Sequence, residues 1–127
     1  MAEKKVVLAI DDNLQQLSEF QAILSDDQYD LRAAKSASEA VSFVNKVKVD
    51  VVLLDIEMPN ISGFEFLQDI LRLPSYRLVP VIVVSINSGH EFVTKAKNLG
   101  AAGVISKPVN PVILRETIEK ALLARAK

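Results

Sequence analysis

Five side chains able to do chemistry stand just beyond four short apolar runs of the sequence. Asp11 and Asp12 follow the run 6–10, Asp55 follows 51–54, Ser85 follows 79–84, and Lys107 comes shortly after 102–105. If those runs are strands of one parallel sheet, three carboxylates, a hydroxyl and an amine meet beyond its carboxyl edge, where such sheets bind ligands. Two like charges about 4 Å apart repel by roughly 4 kcal/mol at an effective dielectric of about 20. A hard divalent cation relieves that repulsion, and an oxygen-only set of ligands suits Mg²⁺ or Mn²⁺. With Lys107 as a second, fixed positive charge, a carboxylate here can attack phosphorus and form an aspartyl phosphate. Each residue alone has a plainer explanation. Asp11 or Asp12 could cap a helix, Asp55 could serve a turn with Pro59 and Gly63, Ser85 could be an ordinary strand-end hydroxyl, and Lys107 could be solvated. Their joint placement favours the chemical reading.

The elements that must position them are legible in the apolar pattern. Five short runs, 6–10, 29–33, 51–54, 79–84 and 102–105, alternate with five amphipathic segments. Four of the runs are nearly continuous in apolar residues, as in parallel strands covered on both faces, while 29–33 alternates with polar residues and suits an edge. Helical spacing links Leu17, Phe20, Ile23 and Leu24; Ala37, Ala40, Val41 and Val44; and Phe64, Leu67, Ile70 and Leu71. The same spacing links Phe92, Ala96 and Leu99, and then Leu114, Ile118, Ala121 and Leu122. Ser36, Ser62 and Ser88 each precede a Glu by three residues (Glu39, Glu65, Glu91), the capping-box spacing. Asn110-Pro111 reads as a helix start and Gly100 as a stop. Strand–helix alternation repeated five times implies an α/β fold, a doubly wound five-stranded parallel sheet with helices on both faces.

Size and composition restrict what such a fold can do here. The chain has 127 residues, half of them hydrophobic, which suits one domain spanning residues 1–127. Lys and Arg total 15 against 16 Asp and Glu, a formal net charge of -1, so no basic excess marks a nucleic-acid or membrane surface. The absence of cysteine removes disulfides, thiolate metal sites and thiol catalysis, and the single His90 removes a multi-histidine metal site. The N-terminal segment is too short in apolar residues for a signal peptide, and Pro80 and Ser85 break the longest apolar stretch. A cytoplasmic protein without a membrane span is expected.

Taken together, Asp11-Asp12, VVLLDIEMPNISG around Asp55, VPVIVVS ending at Ser85 and SKP at Lys107-Pro108 resemble the receiver domain of bacterial two-component response regulators over nearly the whole chain. The resemblance implies the chemotaxis-regulator-like, flavodoxin-like strand order 2-1-3-4-5. It implies that Asp55 takes a phosphoryl group from a phosphohistidine of a sensor histidine kinase or phosphotransfer protein. Asp11, Asp12, Asp55 and the backbone carbonyl of Glu57 would hold Mg²⁺, Lys107 and Ser85 would bind phosphoryl oxygens, and the Lys107-Pro108 peptide would be cis. Such a domain is a signalling module, not a turnover enzyme, although it catalyses its own phosphorylation and dephosphorylation. Its output partner would use the face formed by the fourth helix, fifth strand and fifth helix, where a homodimer could also form.

Five positions shape that expectation. Receivers commonly carry Tyr or Phe where this chain has Val104, so an aromatic switch is not available. Ile86 is bulky where receivers are usually small, which would slow access of donors or water to Asp55. Glu57 and Asn87 occupy places that vary among receivers; Glu57 either orients water or, more plainly, faces solvent. His90 reads as a surface residue. Other classes fit less well. A haloacid-dehalogenase-like phosphatase needs alternating aspartates where this chain has Asp11-Asp12-Asn13, a flavodoxin needs a Thr/Ser/Gly-rich loop there, and no GxGxxG or GxxxxGKS occurs. The alternatives left are a receiver-like interaction domain acting without phosphate, and a receiver fragment of a larger regulator or hybrid kinase.

Overall fold

The structure, a computed structural model, describes residues 4–24, 28–57, 63–76, 79–87 and 89–126. Its strands are β1 (Lys5–Ile10), β2 (Tyr29–Ala34), β3 (Val51–Asp55), β4 (Val81–Ser85) and β5 (Gly103–Ser106). The helices are α1 (Leu14–Leu24), α2 (Ala37–Val44), α3 (Gly63–Arg72), α4 (His90–Asn98) and α5 (Pro111–Ala126), with one 3-10 turn at Pro74–Tyr76. All neighbouring strands are parallel, in the order β2-β1-β3-β4-β5. The alternating strand β2 is an edge, as its pattern implies.

Alternation along the strands feeds two cores. Leu8, Ile10, Val52, Leu54, Val81 and Val83 point to the side covered by α2, α3 and α4, where Ala40, Leu67, Ile70 and Ala96 are buried. Val7, Ala9, Val51, Leu53, Ile82 and Val84 point the other way, toward Leu17, Phe20 and Leu24 of α1 and Leu114 and Ile118 of α5. A sheet buried on both faces explains why β1, β3 and β4 read as continuous apolar runs.

The helix ends follow local chemistry. Ser36 Oγ accepts from the Glu39 N–H at 3.1 Å while Glu39 accepts from the Lys35 N–H, a reciprocal cap shifted by one backbone donor. Asn110 Oδ1 accepts from the N–H groups of Val112 and Ile113, so Pro111 opens α5. After α4, Gly100 takes φ 114, its N–H bonds the Lys97 carbonyl, and the Ala101 N–H bonds the Ala96 carbonyl; this left-handed stop is open to glycine. Ser62 and Ser88 lie outside the described residues; α4 has Gly89 at its N-cap, without a side-chain cap. All five strands differ from the pattern by a residue or two: β1 gains Lys5, β2 gains Ala34, β3 gains Asp55, and β4 and β5 shift toward Ser85 and Ser106. β4 starts after Pro80, which has no N–H for the ladder, and β5 starts at Gly103. Among the described residues no helix is long and apolar enough to cross a membrane.

Candidate functional site

The carboxyl ends of β1, β3, β4 and β5 bring the five chemical side chains to one edge of the sheet. Asp11 leaves β1 fully buried, its N–H bonded to the Ala34 carbonyl of β2. Its Oδ1 accepts from the Asn13 N–H at 2.8 Å, while Oδ2 is buried without a hydrogen-bond partner. Neither Asp11 nor Asp12 accepts from the first turn of α1 in the way a helix cap would. That task falls to Asn13, whose Oδ1 accepts from the N–H groups of Gln15 and Gln16. Both aspartates are thereby released for other work.

Asp55 ends β3 and is 5% exposed. Its Oδ1 accepts from the Glu57 N–H at 3.0 Å and from Lys107 Nζ at 3.1 Å. Gly63 lets α3 begin against the end of this strand, because a Cβ there would overlap the Ile56 side chain and carbonyl oxygen. Lys107 is fixed from its own backbone, whose N–H bonds the Ser85 carbonyl of β4 at 2.9 Å, and the Lys107-Pro108 peptide is cis. Ser85 is fully buried, and its Oγ accepts from the Asn87 N–H at 2.9 Å.

Carboxylate oxygens of Asp11, Asp12 and Asp55 lie within 4.8 Å of one another, with Asp12 the exposed member. Burial pushes the Asp11 carboxyl up to about 6, and the negative charge of Asp55 adds to the rise against the Asn13 N–H and Lys107. Burial alone would lower the Lys107 ammonium; its hydrogen bond to Asp55 and the charges of Asp55, Asp11 and Glu57 outweigh that, and its net shift is upward. An orphaned buried oxygen beside two more carboxylates, all hard oxygen donors, fits a small divalent cation.

The comparisons with known proteins agree with this fold. Residues 7–119 match the family described as the response regulator receiver domain. The chain belongs to the response regulator receiver domain family. A protein-glutamate methylesterase/protein-glutamine glutaminase of Caulobacter vibrioides is 35% identical over 95% of this chain and 35% of its own length. Protein PilH of Pseudomonas aeruginosa is 28% identical over 91% of this chain and 96% of its own. This receiver thus spans about a third of one relative and nearly all of the other. Among solved structures, chemotaxis protein CheY4 of Vibrio cholerae superposes with a TM-score of 0.85 at 29% identity, covering 94% of this chain and 99% of that one. A CheY-like receiver from Methanospirillum hungatei gives 0.84 at 28% identity, covering 97% of each.

The remaining positions of the receiver are placed as follows. Glu57 is exposed, the plainer of its two expectations, yet its carboxylate turns toward the site. Its Oε1 accepts from the Ile86 N–H at 2.9 Å and lies 3.6 Å from Lys107 Nζ, drawn in by the ammonium at the centre of the site. Ile86 is 72% exposed, and its backbone N–H reaches the site. Val104 is half-buried and packs against the core beneath α2, α3 and α4, while His90 is exposed at the start of α4. Beside Val104, a groove of about 820 Å³ is lined by Lys97, Gly103, Thr117 and Lys120 of the α4–β5–α5 face. Sequence reasoning missed one residue and one contact. Asn13 is a strong capping type directly before apolar Leu14, a signal that was there to read. Nothing in the sequence marks the bond from Glu57 to Ile86, which joins residues 29 positions apart.

Proposed function

We propose that Asp55 is the phosphoryl acceptor of this signalling domain, receiving the group from a phosphohistidine of a sensor histidine kinase or a phosphotransfer protein. The observation that carries the reading is the buried Asp55 carboxylate, 3.1 Å from the Lys107 ammonium and grouped with Asp11 and Asp12. Asp11, Asp12, Asp55 and the Glu57 backbone carbonyl would hold Mg²⁺ or Mn²⁺. Bound there, the cation would neutralise charge developing on the phosphoryl oxygens. Two donors, the Glu57 N–H and Lys107, converge on Asp55 Oδ1, which leaves Oδ2 to form the new bond to phosphorus. As that bond forms, the phosphorus–nitrogen bond of the donor breaks and the departing imidazole takes up a proton. Lys107 then pairs with phosphoryl oxygens. Ser85 Oγ already accepts one hydrogen bond and still has its own proton to donate to another of those oxygens. Return to the resting state is attack of water on phosphorus, which releases inorganic phosphate and restores the carboxylate.

Ile86, exposed at the rim, is read as narrowing access to Asp55, and faster phosphorylation of Ile86→Ala is expected from that role. Because Val104 replaces an aromatic, the change of shape reaches the α4–β5–α5 face by another movement, and that face is the expected site of an output partner or a second copy. The reading extends to residues 1–127 as one domain in the cytoplasm, alone or within a larger regulator. Intact-mass analysis after incubation with acetyl phosphate and Mg²⁺ tests it. One added phosphoryl group is expected, abolished by EDTA and by Asp55→Asn. No addition, or an equal addition on Asp55→Asn, would overturn the assignment.

A further inference from the structure

At the phosphoryl-binding end of the site an internal anion is already in place. Glu57 Oε1 accepts from the Ile86 N–H at 2.9 Å and stands 3.6 Å from Lys107 Nζ, which is itself 3.1 Å from Asp55 Oδ1. One ammonium is therefore shared by two carboxylates, and the free backbone donor just past β4 is used by one of them. The Glu57 side chain is 28% exposed. A charge-assisted hydrogen bond and an ion pair hold it over the site.

A phosphoryl group on Asp55 brings negatively charged oxygens into the same space, and those oxygens need donors. Besides the Ser85 hydroxyl, the donors at hand are Lys107 and the Ile86 N–H; Glu57 accepts from the second and forms an ion pair with the first. Leaving Glu57 there would set its carboxylate against the phosphoryl charge. We propose that the Glu57 carboxylate competes with the incoming phosphoryl group for Lys107 and the Ile86 N–H, and must swing away before Asp55 can be phosphorylated. Glu57 is then a positioning residue that restrains phosphorylation. This inference rests on the reading of Asp55 as acceptor. Such a latch weakens apparent binding by the fraction of molecules in which it is open: a latch closed about nine-tenths of the time weakens it about tenfold.

Beryllofluoride, a phosphoryl analogue, provides the test when titrated into the protein at saturating Mg²⁺, so that differences in metal affinity drop out. Glu57→Ala is expected to bind it about tenfold more tightly than wild type and to be phosphorylated faster by acetyl phosphate. Glu57→Gln, which keeps an acceptor for Ile86 but loses the pull on Lys107, is expected to fall between them. In metal-free protein, nitrogen-edited NMR should show the Ile86 amide proton moving upfield in Glu57→Ala as its carboxylate acceptor is lost. Equal or weaker beryllofluoride binding by Glu57→Ala, or an unmoved Ile86 amide, overturns the competition and leaves Asp55 as acceptor. No beryllofluoride binding by either protein overturns both.

Discussion

The two halves of the site are in opposite electrostatic states. On the β1 side, Asp11, Asp12 and Asp55 crowd together, Asp11 Oδ2 has no partner and its carboxyl is pushed up to about 6. On the β4–β5 side, Ser85 Oγ, the Ile86 N–H, Glu57 and Lys107 are partnered within the protein. The first half stores repulsion that a cation would relieve, whereas the second satisfies itself until an anion replaces one of its members. On the proposed reading, a cation would act first on the stability of the resting fold through the acidic half, and Lys107 and Glu57 would act on its reactivity.

Removing Lys107 should sharpen that contrast most. Lys107→Ala is expected to slow phosphorylation by acetyl phosphate about a hundredfold, the scale for deleting one preorganised charge-stabilising donor. Its melting temperature should still rise on adding Mg²⁺; loss of that response would mean the two halves are one unit. On the acidic side, saturation at about 100 times the dissociation constant should stabilise wild type by about 2.7 kcal/mol, read as a rise in melting temperature. Asp11→Asn should lose much of that rise, and in EDTA it should melt higher than wild type, by about 4 °C per kcal/mol of repulsion removed. A metal-free Asp11→Asn that melts lower would contradict a repulsive resting cluster.

The pH dependence follows from the same carboxyl. Its folded pKa, about 6, lies above the ordinary value of 3.8, so folding favours the protonated form. The stability it contributes is fully present below 3.8 and is lost as pH rises through about 6. Metal-free wild type should therefore melt lower at pH 7 than at pH 5, and Asp11→Asn should flatten that difference. The smallest effect belongs far from the site. Tyr76, buried and bonded through its hydroxyl to the Ala40 carbonyl at 3.1 Å, is pushed up to about 12 by burial. Tyr76→Phe should cost about 1 kcal/mol in denaturant unfolding and leave the Mg²⁺ response unchanged.

The fold was readable because its cause is local and repetitive. Continuous apolar runs mark β1, β3 and β4, the alternation of Tyr29 to Ala33 marks the edge, and helical spacing fixes which faces are buried. Ser36 and Asn110 act as the caps their types imply. The site was readable to the extent that it depends on strand ends: Asp11, Asp12, Asp55, Ser85 and Lys107 each occupy a place set by the alternation. Contacts between loops were not readable. Glu57 has the same sequence neighbourhood whichever way its carboxylate turns, and its partners, the Ile86 N–H and Lys107, lie far from it in sequence. Asn13 displaced the aspartates as the cap of α1 because α1 starts at Leu14, later than a cap at Asp11 or Asp12 requires.

The most direct test locates the phosphoryl bond itself. An acyl phosphate is reduced by borohydride to an alcohol, so a phosphorylated aspartate becomes homoserine and can be found by peptide sequencing. After treatment with acetyl phosphate and Mg²⁺, homoserine is expected at position 55 and at neither Asp11 nor Asp12. Homoserine at Asp11 or Asp12, or a phosphorylated protein that yields none at position 55, would contradict the assignment of Asp55 as acceptor.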